Sequence, residues 1–62
     1  MNFENFFKVT TLLVLEIDGQ FKKVFMPMLE KCSKAHDCGD VETAVGQLNF
    51  ISSKVVEILE EN

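Results

Sequence analysis

Apolar side chains recur in steps of three and four along this chain: Phe3, Phe7, Val14, Ile17, Phe21, Val24, Met28 and Cys32, then Val41, Ala44, Leu48, Ile51, Val55 and Ile58. Such a step keeps its members on one face of an α-helix, whose period is 3.6 residues, whereas a half-buried strand would alternate by two. The chain is therefore read as all-α, with two helices that each have a face to bury.

Local signals set the ends. Asn2 is a good N-cap, and Glu4 places a carboxylate in the first turn, where it complements the positive end of the helix dipole. Lys31, Lys34 and His36 lie where cations suit a closing helix, and Gly39 follows as a left-handed terminator. Asp40 caps a second helix that has Glu42 in its first turn. The predicted spans are 2–36 and 40–60, with fraying at the end because Glu57, Glu60 and Glu61 oppose the dipole.

Two features disturb the first helix. Pro27 removes a hydrogen bond and crowds the preceding turn, a cost of about 3 kcal/mol that predicts a bend. Asp18-Gly19 offers a break, but Val14, Ile17, Phe21 and Val24 hold the step straight across it. The expected fold is thus a bent helical hairpin, its long helix kinked near Pro27. Two alternatives remain open: a break at Asp18-Gly19 gives a three-helix bundle, or that pair turns an N-terminal β-hairpin between 9–17 and 21–25, followed by two helices. Against the hairpin, Leu12, Leu13, Val14 and Leu15 are consecutive apolar residues that do not alternate.

With 62 residues in a single helical domain, 1–62, the chain buries barely enough surface to fold alone. The longer predicted helix outruns the shorter by about 15 residues, or about 20 Å at 1.5 Å per residue. Its arm is apolar all round, as helices buried on several sides are. Each such side chain left in water forgoes about 1.5–3 kcal/mol. A second copy is expected to cover it in a dimeric four-helix bundle, with Phe3, Phe6, Phe7, Leu12, Leu13, Leu15 and Ile17 as the oligomer or partner interface.

Charge narrows the partners. The six basic residues are all lysines, ten carboxylates outnumber them, and the net charge is −4, so neither phosphate-binding forks nor a basic footprint for nucleic acid is present. The carboxylates are scattered apart from Glu57, Glu60 and Glu61, which argues against an acidic mimic of nucleic acid. The apolar run 9–15 follows Glu4 and a single Lys8 and precedes Glu16 and Asp18, unlike a signal peptide, and falls short of the ~18 apolar residues that cross a bilayer. The chain is read as a cytoplasmic protein with reduced cysteines and no membrane partner.

Catalytic chemistry is thin. There is one histidine, read as a solvated capping residue; Ser33, Ser52 and Ser53 lack a visible base partner; and Glu16 and Asp18 stand two apart on a helix and do not face each other. Cys32, His36 and Cys38, with Asp37 or Asp40 as a fourth ligand, form the one cluster with metal-binding chemistry. A single C-x3-H-x-C lacks the two separated knuckles of a zinc site, and Cys32 falls on the buried stripe. No metal or cofactor is assigned. The expected function is that of a non-enzymatic protein–protein interaction module, a homodimeric regulator, inhibitor or adaptor of another protein. The alternatives are a metal- or redox-responsive module built on Cys32, His36 and Cys38, and a small assembly or secretion chaperone.

Overall fold

The computed structural model describes residues 2–17 and 19–61, and among them there is no strand. Three helices follow one another: α1 (Phe3–Glu16), α2 (Gly19–Asp37) and α3 (Val41–Glu61). The N-terminal β-hairpin is thereby replaced by helix on both sides of the Asp-Gly pair, of which Asp18 lies outside the described residues.

The continuous long helix is also corrected. Ile17 leaves helical geometry (φ −90°, ψ 167°) and closes α1 by donating its N–H to the Val14 carbonyl at 3.3 Å. The chain then reverses, and α1 packs against α3 and, less extensively, against α2. The reason is burial. Folded back, α1 encloses Thr10, Val14 and Ile17 and lays Phe3, Phe6, Phe7 and Leu13 on the core. A straight continuation in a single chain would have left α1 without α3 to pack on.

Reversal re-phases the apolar stripe. In α2 the buried residues are Phe25, Leu29 and Cys32, while Phe21 and Val24 are exposed and Met28 is half-buried. Pro27 sits within α2, on an exposed face, and the helix runs through it. In α3 the expected stripe holds: Ala44, Leu48, Ile51 and Val55 are fully buried, Ile58 is half-buried, and only its first member, Val41, is exposed.

The ends follow the local signals. Asn2 Oδ1 accepts from the Asn5 N–H at 2.9 Å, the N-cap bond that satisfies an orphan donor of the first turn. At the α2 terminus the Asp40 N–H reaches back to the Ala35 carbonyl (2.9 Å) and the Gly39 N–H to that of His36 (3.0 Å). These are the paired bonds of a Schellman turn, which needs a left-handed residue, and Gly39 supplies it at φ +88°. Asp40 Oδ1 then accepts from the Thr43 N–H at 3.4 Å, at the start of α3. α3 continues to Glu61, one residue past its predicted end.

Candidate functional site

The residues expected to form an interface on the overhanging arm are placed differently by the fold. Ile17 is buried, and Phe3, Phe6, Phe7 and Leu13 are half-buried against the core, so the chain itself covers part of the surface of these five. Leu12 and Leu15 remain outside, 58% and 49% exposed.

They are not alone. Val9, Phe21, Val24, Met26, Val41, Phe50 and Val56 are also exposed, which puts large apolar side chains in water on every helix. Phe21 and Val24 were expected in the core. Met26, Phe50 and Val56 fall off the predicted stripes, and only their placement on helices of known phase reveals them as surface.

Between α1 and α2, the least intimate of the three helix pairs, the surface opens into a groove. One part, about 590 Å³, lies among Phe3, Phe7, Lys8 and Leu12 of α1 and His36 and Asp37 of α2. A second part, about 460 Å³, lies against Met26, Pro27, Leu29 and Glu30 of α2. Phe7, Thr11 and Ser33 line both, so the two form one trough. Thr11 makes no hydrogen-bonding demand there, because its hydroxyl already donates to the Phe7 carbonyl at 2.8 Å. Its neighbour Thr10 does the same toward the Phe6 carbonyl (2.8 Å), and this satisfies the hydroxyl well enough for Thr10 to be fully buried. A polar residue type gave no sign of that burial in the sequence.

One end of the trough is built from stacked rings. The His36 imidazole lies on the Phe3 ring with centroids 4.0 Å apart and planes 4° from parallel, and Phe7 stacks on Phe3 at 5.8 Å. Ser33, His36 and Asp37 all line this space, and no hydrogen bond links them among the described residues.

Cys32 and His36 lie one turn apart on α2 but differ in burial, the first buried and the second half-buried. Cys32 is fully buried and donates its S–H to the Ala44 carbonyl at 3.0 Å; burial raises its thiol pKa above the ordinary value, against a smaller lowering by the Leu48 backbone. Cys38 is exposed past the end of α2, and both thiols are free. No group of three or more His, Cys, Asp or Glu side chains among the described residues is gathered to hold a metal ion. No described helix is long and apolar enough to cross a membrane. Comparison with protein-family models, with curated proteins and with solved structures finds no match to this chain.

Proposed function

We propose that this chain is a non-enzymatic protein–protein interaction module, a regulator, inhibitor or adaptor that works as a homodimer in the cytoplasm. One observation carries the reading: apolar side chains that the monomer does not use, chief among them Leu12 (58% exposed), Val24 (57%) and Phe50 (50%), are distributed over all three helices. Where such side chains gather into a contiguous patch, they mark a surface through which proteins associate. A standard interface needs about 800 Å² from each partner, a modest share of the 4411 Å² this chain exposes.

Two such chains reach a four-helix arrangement by exchanging α1. If Ile17 takes helical dihedrals, α1 extends α2 and docks its Val14 and Ile17 on the partner's hairpin in place of its own. Exchange of an identical element preserves the core contacts, and is therefore a low-energy route to a dimer. Without exchange, the dimer joins two three-helix units through exposed residues outside the groove, such as Val24 and Phe50. The chaperone reading is a variant in which the same surface receives a client helix.

Sedimentation equilibrium at micromolar concentration tests the assembly. A mass of twice 7.1 kDa is expected, and a mass of 7.1 kDa throughout would refute the homodimer. Val24→Asp and Phe50→Asp, both on exposed positions outside the groove, should weaken association without unfolding the chain if these surfaces form the contact.

A further inference from the structure

The geometry points to the trough between α1 and α2 as the docking site for a basic amphipathic helix of a partner protein. The inference rests on the interaction-module reading and adds a location and a chemistry to it. Along α2 the trough runs from Met26 to Asp37, about 16 Å at 1.5 Å per residue, or three turns of an occupying helix. Its floor offers Phe7 and Leu29, together with a Thr11 whose hydroxyl is already bonded. An apolar stripe laid into a groove is the usual way a helix is received.

The rim decides the occupant's charge. Glu4, Glu30 and Asp37 are exposed around the trough and Lys8 is the one lysine that lines it, an excess of two carboxylates on a chain whose net charge is already −4. Lysines or arginines flanking the apolar stripe would find complementary charge on the α2 wall, at Glu30 and Asp37, since Lys8 offsets Glu4 on α1, and would be steered toward it from a distance. A second copy of this chain brings its own −4 to the same rim, which disfavours it as the occupant.

The test uses the whole chain and two synthetic peptides of about four helical turns, one with a leucine stripe flanked by lysines and the other with the lysines replaced by glutamates. The lysine peptide should bind, move the backbone amide signals of Phe7, Thr11 and Ser33, and lose about tenfold in affinity at low salt against Glu30→Lys/Asp37→Lys, while the glutamate peptide gains. Both substituted residues are exposed, so the fold should survive, with unchanged helical circular dichroism as the check. Ser33→Phe, which fills the shared part of the trough, should block the lysine peptide as well. The inference is overturned if neither peptide binds, if both bind alike, or if the shifts fall around Val24 and Phe50 instead. It is also overturned if the trough signals move on dilution of the chain alone, because a second copy is then the occupant. A dimer by sedimentation with an inert trough removes this inference and leaves the interaction-module reading standing.

Discussion

His36 lies flat against Phe3, ring on ring at 4.0 Å, and so ties the last turn of α2 to the first turn of α1. The two residues are far apart in sequence, and their contact helps to hold α1 in its folded-back position. The rest of that hold comes from Val14 and Ile17 at the other end of α1, both in the core.

Phe3→Ala should cost about 2 kcal/mol in denaturant unfolding, somewhat under the range for a fully buried phenylalanine because Phe3 is half-buried. A double-mutant cycle with His36→Ala should return a coupling of about 0.5–1.5 kcal/mol for the stacked pair. Amide exchange in α1 should accelerate more than in α3, since α1 loses a tether and α3 does not. No coupling in the cycle would mean that the stack adds nothing beyond area.

The two cysteines should behave oppositely. Cys32→Ser places a more polar hydroxyl at a fully buried site and should destabilise by about 1–3 kcal/mol, whereas Cys38→Ser at an exposed position should be nearly silent. A maleimide should modify Cys38 quickly and Cys32 only as fast as the chain opens, because the thiolate is the reactive form and burial disfavours it.

Stability should fall at alkaline pH through the same thiol. The folded state raises the Cys32 pKa above its ordinary 9.0, so well below that value the proton is held in both states and pH has no leverage. As pH climbs past 9.0 the unfolded chain releases the proton and the folded chain keeps it, and stability declines until the folded thiol also ionises. The Cys32→Ala variant should lack this alkaline component in urea midpoints measured across the range.

Two glycines should respond with opposite signs to alanine. Gly39 sits at φ +88°, so Gly39→Ala should lose about 1 kcal/mol from backbone conformation alone. Gly46 is an exposed residue within α3 with open space where a Cβ would go, so Gly46→Ala should gain about 0.5–1 kcal/mol. Thermal melts read both.

Pro27→Ala should stabilise by about 1–3 kcal/mol, since α2 is continuous through Pro27 and alanine restores the missing donor. A loss instead would show that the proline shapes α2 to fit its neighbours.

The sequence by itself determined what depends on neighbours within a turn or two. The N-cap at Asn2, the terminator Gly39, the start of α3 after Asp40 and the buried face of α3 are all written in residue types at fixed spacing, because capping bonds, positive φ and helical phase are local physics. The reversal after Ile17 was decided elsewhere. Asp18-Gly19 offers a break and with it the three-helix alternative that the fold matches, but helical spacing runs unbroken through Val14, Ile17, Phe21 and Val24 and does not require one. What selects the turn is the burial that α1 gains by lying on α3 and α2, a long-range energy that no periodicity records. The same reversal moved the core of α2 onto Phe25 and Leu29, left Phe21 and Val24 in water, buried Thr10 behind its own hydrogen bond, and opened the trough between α1 and α2. The candidate site is therefore a product of tertiary structure, since its two walls meet only after the chain has folded back on itself.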